Sequence, residues 1–268
     1  MKLEDRVSNW IKEKVQEAGA RGVVVGLSGG VDSSVVACLA KMAMKDKVLG
    51  LIMPCHSESL DEHYAGLMAK KLSMRIERIV LDPVYDRLLE ILPSAGKLAL
   101  ANLKPRLRMT TLYYFANHLN YLVAGTGNKS EILIGYFTKY GDGGCDILPL
   151  GDLLKTQVRK LAVSLGIPEE IIKRKPSAGL WKEQTDEGEI GLSYSDLDRI
   201  ILAIESGKTD SLPPRMVARV KELKKRSEHK RSPVPVFKLE QIGGQVSTFD
   251  IQQNDPFVLG KSKMRQSK

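Results

Sequence analysis

A short apolar strand that runs directly into a glycine-rich turn constrains the fold of this chain more than any other feature. Residues 23–25 are three consecutive valines, a run typical of a parallel strand covered on both faces. The next residues are Gly26-Leu27-Ser28-Gly29-Gly30. An apolar helical pattern over 31–44 follows the turn. Because a strand, a tight turn and a helix in this order begin a βαβ unit, we expect a parallel sheet.

The alternation of strand and helix continues along the chain. Further strands are predicted at 48–53, 76–81 and 121–124, and helices at 2–18, 60–72, 84–92 and 98–119, the last interrupted at Pro105. Later helices are predicted at 153–165, 195–206 and 214–227. Segments 136–152 and 174–192 lack periodicity and are predicted to be long surface loops. The pattern predicts an α/β fold with a doubly wound, open parallel sheet flanked by helices.

The domain organisation follows from length and from a change in composition near the C-terminal end. A chain of 268 residues suits one sizeable α/β domain. From Ser232 onward the chain contains Pro233, Pro235, a Gly243-Gly244 pair and many polar residues. We therefore expect a single domain over 1–231 and a loosely ordered extension over 232–268.

Cysteine usage and hydropathy exclude several classes of protein. Cys38, Cys55 and Cys145 are far apart and form no C-x-x-C pair, which argues against a disulfide framework and against a zinc or iron–sulfur site. The chain has no apolar signal core and no run of 18 apolar residues. We therefore expect a cytoplasmic protein without a membrane partner.

The net charge of +9 raises the question of nucleic-acid binding. Residues 215–268 hold 13 Lys and Arg against 5 Asp and Glu, so nearly the whole excess lies in the last fifth of the chain. A solvated basic helix and tail explains this distribution, and polyanion binding by that region is the alternative. Nucleic acid is therefore not an expected partner.

The glycine-rich turn has the properties of a phosphate-binding site. Glycines allow close approach of the backbone, and free N–H groups at a helix N-terminus suit a phosphate. Ser28 and Ser33 add hydroxyl donors on either side of Val31. The carboxylate of Asp32 would repel phosphate, so we expect Asp32 to hold a Mg²⁺ that bridges to phosphate oxygens.

Two motifs allow a different interpretation of the chain. Gly26-x-Ser28-x-Gly30 also fits the nucleophile elbow of α/β hydrolases, but the chain has no HGGG-type segment and the hydrolase role would leave Asp32-Ser33 unexplained. Gly207-Lys208-Thr209 is similar to the end of a Walker A motif, but position 202 is Leu and no strand precedes it. The phosphate loop is therefore the preferred interpretation.

The sequence resembles a known family in several ordered segments. Ser28-Gly29-Gly30-Val31-Asp32-Ser33 resembles the SGGxDS loop of the N-type ATP pyrophosphatase superfamily, whose members cleave ATP to AMP and pyrophosphate. Segments 125–131 and 135–150 closely resemble the NAD synthetase family. Shorter matches include Lys155-x-x-Val158-Arg159 and Lys175-Pro176-Ser177-Ala178. Together the matches span 26–231; Gly127 and Asn128 depart from the Asp and His of many bacterial relatives.

The resemblance implies a fold, a reaction and an assembly. The fold would be the Rossmann-like fold of the adenine nucleotide alpha hydrolases. The reaction would be ATP-dependent amidation of deamido-NAD (nicotinic acid adenine dinucleotide) with ammonia, through an acyl-adenylate, to give NAD, AMP and pyrophosphate as the last step of NAD biosynthesis. A glutamine-using version needs an additional amidase domain, for which 268 residues leave no room, so ammonia is the expected nitrogen donor. A homodimer is also implied.

Roles for individual residues follow from the same resemblance. The ATP-binding set contains the whole turn and three further residues: Gly26, Leu27, Ser28, Gly29, Gly30, Val31, Asp32, Ser33, Thr126, Lys155 and Ser177. Asp32 and Glu131 would hold Mg²⁺, and Lys155 and Asp142 would be catalytic, Asp142 by steering or deprotonating ammonium. The deamido-NAD side would comprise Arg106, Lys139, Asp146, His229 and Lys230. Taken alone, Glu131 is more typical of helix-dipole complementation, Asp142 of a turn and Lys155 of a solvated helix face.

Several alternatives remain at this point. A tRNA-modifying enzyme of the same superfamily would use the basic C-terminal region, but the expected cysteine pair is missing. A regulatory module that binds nucleotide without turnover is a second alternative, disfavoured because both substrate segments are present. The apolar residues Leu100, Leu103, Leu107 and Leu112 fit either a dimer interface or burial inside the monomer.

Overall fold

The computed structural model describes residues 1–181 and 183–237, and within them the sheet has four parallel strands. The strands are β1 (Gly22–Gly26), β2 (Val48–Ile52), β3 (Arg75–Arg78) and β4 (Tyr121–Ala124), in the order β3-β2-β1-β4. The predicted α/β class with an open parallel sheet flanked by helices is confirmed.

Thirteen helices are assigned within the described residues. They are α1 (Leu3–Glu17), α2 (Val31–Met44), α3 (Ser59–Lys71), α4 (Asp82–Ile91), α5 (Lys97–Ala101), α6 (Leu103–Leu119), α7 (Lys129–Ile134), α8 (Lys155–Ser164), α9 (Glu169–Lys173), α10 (Asp186–Ile190), α11 (Tyr194–Glu205), α12 (Pro214–Arg226) and α13 (Glu228–Arg231).

The strand order places a topological switch point beside β1. Val24 of β1 pairs in register with Leu49 of β2 on one side and with Val123 of β4 on the other. The chain moves from β1 outward to β2 and β3, and β4 then returns to the opposite side of β1. The turns after β1 and β4 therefore open next to each other at the carboxyl edge of the sheet, where open parallel sheets bind ligands.

Both faces of the sheet are covered, which explains the unbroken valine run. Val23 and Val25 pack against the face formed by α1, α2 and α8, whereas Val24 faces α6. All three valines are fully buried. On the α6 side, Leu103, Leu107 and Leu112 pack against the same apolar cluster as Val24, so these three leucines contribute to the core of the monomer.

A separate apolar cluster lies beneath α7, α11 and α12. Its largest fully buried members are Tyr194, Leu197 and Ile200, all on α11. Ile134 of α7 and Val220 of α12 complete the contact with α11. The cluster fixes α11 against α7, which begins just after β4.

One predicted break is wrong. The interruption expected at Pro105 falls instead at Asn102, between α5 and α6. Pro105 is the third residue of α6, and the first N–H groups of a helix have no intrahelical partner, so a proline without an N–H is tolerated there.

The edge of the sheet and two predicted loops also differ from expectation. The third strand covers Arg75–Arg78 rather than 76–81, although Ile79 and Leu81 still donate backbone hydrogen bonds to Ile52 and Pro54 at 2.9 and 2.8 Å. The predicted loop 174–192 contains α10, because a five-residue helix is too short to give a periodic pattern. Segment 136–152 has neither helix nor strand, as predicted, apart from an isolated bridge between Ala124 and Ile147.

The chain divides into a compact unit Met1–Arg231 and a second unit Ser232–Lys268. Only 232–237 of the second unit belong to the described residues, so the expected loose order of 232–268 falls almost entirely outside them. No helix in the described parts of the chain is long and apolar enough to cross a bilayer.

Candidate active site

The glycine-rich turn joins the end of β1 to the start of α2. Gly30 is the N-cap of α2 and has no side chain to occupy the first free N–H groups of the helix. The hydroxyl oxygens of Ser28 and Ser33 lie 3.1 Å apart, and the Gly30 N–H donates to Ser28 Oγ at 3.3 Å. Two hydroxyls and the start of a 14-residue helix therefore face the same space beyond the sheet, which suits a phosphate.

Gly29 is required by its backbone conformation and by its neighbours. Its φ is +74°, in the left-handed region that other residues rarely adopt. A Cβ at this position would lie 2.4 Å from the carbonyl oxygen of Asp61. The turn is thus packed directly against the start of α3.

The second strand-to-helix junction, after β4, reaches across to the first. Asn128 is the N-cap of α7 and forms a capping box, in which its side chain accepts from the Glu131 N–H at 3.1 Å and the Glu131 carboxylate accepts from the Asn128 N–H at 3.3 Å. The Asn128 Nδ2 donates to Asp32 Oδ1 at 3.0 Å. Asn128 therefore orients both predicted metal carboxylates while being fully buried itself. Thr126, half-buried, lies two residues before it on the same turn.

Lys155, the first residue of α8, places its ammonium between these two carboxylates. Its Nζ lies 2.5 Å from Asp32 Oδ2 and 3.0 Å from Glu131 Oε1. The Lys155 side chain is 3% exposed and the two carboxylates are 16% exposed. The structure thus brings together the three charged residues that were predicted to act on ATP and its metal.

Burial and pairing oppose each other in this cluster. Burial by itself lowers the pKa of Lys155, but the adjacent Asp32 and Glu131 carboxylates more than offset that effect and raise it overall. Burial raises the pKa of Glu131 to about 7, against the lowering effect of Lys155. Lys155 therefore stays protonated and supplies the positive charge that keeps two buried carboxylates together.

Three polar residues behind this cluster were not predicted from the sequence. The Tyr194 hydroxyl lies 3.2 Å from Glu131 Oε1 and 3.0 Å from Asp186 Oδ2, and its one proton can be donated to either oxygen. Asp198, 3% exposed, accepts from the Ser130 hydroxyl and from the Thr156 N–H, the latter at 2.8 Å. Asp198 was detectable as a carboxylate on the otherwise apolar face of α11, whereas no local pattern marks Tyr194 or Asp186.

The segment that carries Ser177 lies beside the glycine turn. Arg174 forms an ion pair with Asp61, whose carbonyl oxygen is in contact with Gly29. Lys104 Nζ donates to the carbonyl of Leu180 at 3.0 Å, which anchors the middle of the segment. Ser177 itself is exposed, and its Oγ accepts from the Gly179 N–H at 3.1 Å.

The residues predicted for deamido-NAD surround the loop 135–146. Lys230 Nζ donates to the carbonyls of Gly135 and Phe137 at 2.8 and 2.7 Å, and Lys139 Nζ donates to the carbonyl of His229 at 2.6 Å. Arg106 is exposed and approaches the carbonyl of Lys139 at 3.4 Å. These four residues therefore lie together, with both lysines engaged by backbone oxygens.

Asp142 and Asp146 lie in the same loop and differ in their surroundings. Asp142 Oδ1 accepts from the Thr138 N–H at 2.9 Å, and the dense protein surroundings raise the pKa of its carboxyl although the residue keeps contact with solvent. Asp146 is held by the Tyr113 hydroxyl at 2.9 Å and by the Val123 N–H at 2.7 Å. One oxygen of Asp146 thus attaches the loop to α6 and the other attaches it to β4.

The carboxylate pair can be tested for its fit to a metal. Among the described residues no group of three or more His, Cys, Asp or Glu could hold a metal ion on its own. Asp32 and Glu131 nevertheless converge on one cation, the ammonium of Lys155. Mg²⁺ prefers one or two carboxylates together with waters and substrate phosphates, so the pair fits a Mg²⁺ that also binds ATP.

Comparison with known proteins identifies the relatives of the chain. The NAD synthase family model matches residues 3–234. An NH3-dependent NAD+ synthetase from Carboxydothermus hydrogenoformans is 52% identical over 232 residues, which cover 85% of this chain and 93% of the relative.

Two solved structures have the same fold. An NMN synthetase from Francisella tularensis has a TM-score of 0.82 at 35% identity, covering 88% of this chain and 98% of that one. An NH3-dependent NAD synthetase from Campylobacter jejuni has a TM-score of 0.77 at 30% identity, with the same coverage of 88% and 98%. Residues 3–234, matched by the family model, include the glycine turn, both carboxylates, Lys155 and the loop 135–146.

Proposed function

The chain belongs to the NAD synthase family and is a ligase that amidates deamido-NAD with ammonia using ATP, and we propose that it does so through an acyl-adenylate. The observation that supports this mechanism is the convergence of Asp32, Glu131 and Lys155 beyond the glycine turn. A positive charge and two carboxylates beside the glycine turn support binding of the triphosphate of ATP there. This arrangement suits transfer of an adenylyl group better than any chemistry that needs a nucleophilic side chain.

The first step activates the carboxylate of the nicotinate ring. A carboxylate oxygen attacks the α-phosphorus of ATP, the bond between the α-phosphorus and the bridging oxygen breaks, and pyrophosphate leaves with that electron pair. The residues 26–33 hold the phosphates through N–H groups and the hydroxyls of Ser28 and Ser33, with Thr126 and Ser177 adding contacts. Catalysis in this step rests on positioning and on charge stabilisation.

Asp32 and Glu131 are the residues that would hold Mg²⁺. A bound Mg²⁺ supplies neutralisation of phosphate charge. With Mg²⁺ held by Asp32 and Glu131, the ammonium of Lys155 would be available to stabilise the negative charge that develops on the departing pyrophosphate.

The second step transfers the acyl group to nitrogen. Ammonia attacks the carbonyl carbon of the acyl-adenylate, the bond to AMP breaks, and the nitrogen loses one proton. Asp142 is the proposed acceptor of this proton, since its carboxylate is exposed enough to meet ammonium and is oriented by the Thr138 N–H.

The dinucleotide is held on the opposite side of the site. Arg106, Lys139 and Lys230 provide positive charge for its pyrophosphate, and Asp146 and His229 provide acceptors and donors for its ribose groups. Because the ammonium groups of Lys139 and Lys230 bind backbone carbonyls, substrate binding either adds to these contacts or exchanges them.

Segment 174–192 closes over the reactants in this proposal and excludes water that would hydrolyse the adenylate. Its attachment to the glycine turn through Asp61 supports such a role. Limited proteolysis tests it: cleavage in this segment is expected to slow with ATP and deamido-NAD, and equal rates with and without them would refute closure.

The reaction itself is tested by measuring pyrophosphate and NAD formed from Mg-ATP, with and without deamido-NAD and ammonium. Both products are expected only with all substrates, and they are expected to vanish in Asp32→Ala. If pyrophosphate formed without deamido-NAD at the same rate, the assigned substrate would be wrong.

A mononucleotide substrate is the second candidate. The structure of the Francisella tularensis NMN synthetase resembles this chain with a TM-score of 0.82. The two functions are separated by comparing kcat/KM for deamido-NAD and for nicotinate mononucleotide in the same assay. We expect deamido-NAD to be preferred, in line with the relative that is 52% identical, and a preference for the mononucleotide would reverse the assignment.

Assembly and location complete the proposal. We propose a homodimer in the cytoplasm, with an interface other than Leu103, Leu107 and Leu112, which pack inside the monomer. Sedimentation that gave only monomer at micromolar concentration would contradict the dimer.

A further inference from the structure

Helix α11 lies behind the site and directs two polar side chains toward it from one face. Tyr194 and Asp198 are four residues apart, so they lie one above the other on the helix. Tyr194 is fully buried and Asp198 is 3% exposed. Neither side chain can touch a bound nucleotide without rearrangement, so any role in the reaction must act through other residues.

Tyr194 contacts the predicted metal carboxylate on α7. Its hydroxyl lies 3.2 Å from Glu131 Oε1, the same oxygen that is 3.0 Å from Lys155 Nζ. Asp186 Oδ2 lies 3.0 Å from the same hydroxyl. The Asn128 N–H binds Glu131 Oε2, so Tyr194 and Asn128 together fix the rotation of the Glu131 carboxylate.

Asp198 contacts the start of α8, the helix that carries Lys155. The N-cap of α8 is Leu154, whose side chain has no acceptor for the first free N–H groups. Asp198 Oδ2 accepts from the Thr156 N–H at 2.8 Å, and the Ser130 hydroxyl, which donates to Asp198, accepts from the Lys155 N–H at 2.9 Å. Asp198 and Ser130 thus perform the capping that Leu154 cannot.

The geometry points to α11 as the positioning element of the ATP-binding cluster, in which Tyr194 orients Glu131 and Asp198 holds the backbone of Lys155. This inference rests on the proposed roles of Glu131 and Lys155 and adds two residues that act through them. It predicts two separate effects. Loss of the Tyr194 contact should weaken cation binding, which depends on Glu131, and loss of the Asp198 contact should slow departure of pyrophosphate, which depends on Lys155. Loss of an outer hydrogen bond to a metal ligand lowers metal affinity or activity by about 10- to 100-fold.

Tyr194→Phe tests whether Tyr194 supports cation binding through Glu131. Mg²⁺ is titrated calorimetrically into protein saturated with α,β-methylene-ATP, which cannot release pyrophosphate. We expect Mg²⁺ to bind roughly tenfold more weakly in this variant, with kcat at saturating Mg²⁺ close to wild type. The control is Tyr85→Phe, which removes a hydroxyl from another buried tyrosine, 3.5 Å from the carbonyl of Leu100, and should leave Mg²⁺ binding unchanged.

Asp198→Asn tests whether Asp198 supports departure of pyrophosphate through Lys155. We expect kcat to fall by up to about 100-fold because Lys155 would be misplaced, with Mg²⁺ binding unchanged. Ser130→Ala removes the Ser130 hydroxyl that joins Asp198 to the Lys155 N–H, and it must likewise lower kcat without changing Mg²⁺ binding. This second variant keeps the test valid if Asp198→Asn fails to fold. The control is Asp196→Asn, which alters a carboxylate on the same helix that pairs with the exposed Arg199.

The outcomes separate this inference from the function on which it rests. If wild-type protein forms no NAD, the proposed function fails. If wild-type protein is active but Tyr194→Phe binds Mg²⁺ normally, or Ser130→Ala keeps its kcat, α11 is not the positioning element. Equal losses of Mg²⁺ affinity and kcat in both variants would also overturn the inference, because a purely structural role would not separate these two quantities.

Discussion

The two halves of the site hold their charged groups in opposite ways. In the ATP half, formed by the glycine turn with Glu131 and Lys155, the Lys155 ammonium is buried and contacts two carboxylates. In the dinucleotide half, formed by the loop 135–146 with residues 229–230, the ammonium groups of Lys139 and Lys230 contact backbone carbonyls instead, and no carboxylate accompanies them among their hydrogen bonds within the described chain.

This difference teaches how each half is built for its ligand. Buried opposite charges are expensive to separate, so the ATP half is fixed by folding and changes only when a second cation arrives. Carbonyl partners are weaker and partly solvated, so the dinucleotide half keeps its shape at a small energetic cost and its cations remain available to a phosphate. Changes in the ATP half should therefore affect both stability and turnover, and changes in the dinucleotide half mainly substrate affinity.

Lys155→Met should have the largest effect. It leaves two carboxylates that are only 16% exposed without their cation, so the free energy of unfolding should fall by about 3–5 kcal/mol, measured by urea denaturation without nucleotide. Activity should fall by about 10²- to 10³-fold. The matched control is Lys129→Met, which removes a lysine that also pairs with two carboxylates, Asp152 and Glu205, but at the surface.

Lys129→Met should cost at most about 1 kcal/mol, because exposed ion pairs contribute little. Equal losses of stability in the two variants would break the contrast between a buried triad and an exposed one.

Gly29→Ala should have the next largest effect. The left-handed φ and the 2.4 Å approach to the Asp61 carbonyl predict a loss of about 1–3 kcal/mol in unfolding free energy and a higher KM for ATP. Gly66→Ala in the neighbouring α3 has open space around the new Cβ and should instead stabilise by about 0.5–1 kcal/mol. The midpoints of urea denaturation of Gly29→Ala and Gly66→Ala should therefore shift in opposite directions. Shifts in the same direction would show that the turn is not constrained as described.

Lys230→Met addresses the dinucleotide half. Two partly solvated carbonyls lose their donor, so the unfolding free energy should fall by only about 0.5–1.5 kcal/mol. The KM for deamido-NAD should rise while the KM for ATP stays unchanged, since Lys230 contacts no residue of the glycine turn in the described structure. A change in the KM for ATP alone would show that Lys230 does not belong to the dinucleotide half. Lys225→Met, at an exposed position of α12, serves as the control.

Arg106→Lys should have the smallest effect on stability. The Arg106 side chain is exposed, so the unfolding free energy should change by no more than about 0.5 kcal/mol. Loss of the planar guanidinium should raise the KM for deamido-NAD roughly tenfold, which corresponds to about 1.4 kcal/mol of lost phosphate contact. An unchanged KM would show that Arg106 does not bind the dinucleotide.

The central part of the fold was predictable because its signals are local. The valine run and the glycine turn predict β1, and the helix predicted at 31–44 coincides with α2. The boundaries of β3 were not predictable, because its residues lie at the edge of the sheet with mostly exposed side chains and Ile76 is only partly covered. Pro105 was misleading because its effect depends on where the helix begins, which the sequence around it does not mark.

The charged residues of the ATP half were predictable in identity but not in arrangement. The resemblance pointed to Asp32, Glu131 and Lys155, and the structure adds that the lysine lies between the carboxylates. Tyr194 and Asp198 were missed because their contacts join helices that are 42 to 68 residues apart, and no local periodicity reports such contacts.

The most direct test of the mechanism uses deamido-NAD whose nicotinate carboxylate is labelled with ¹⁸O. The acyl-adenylate route predicts that mass spectrometry will find one labelled oxygen in the phosphate of AMP and none in pyrophosphate, because the carboxylate attacks the α-phosphorus and leaves its oxygen there. Label in inorganic phosphate together with ADP would show attack at the γ-phosphorus, and AMP without label would show that the carboxylate is not the group that is adenylated. Either result would contradict the proposed role of the ATP half.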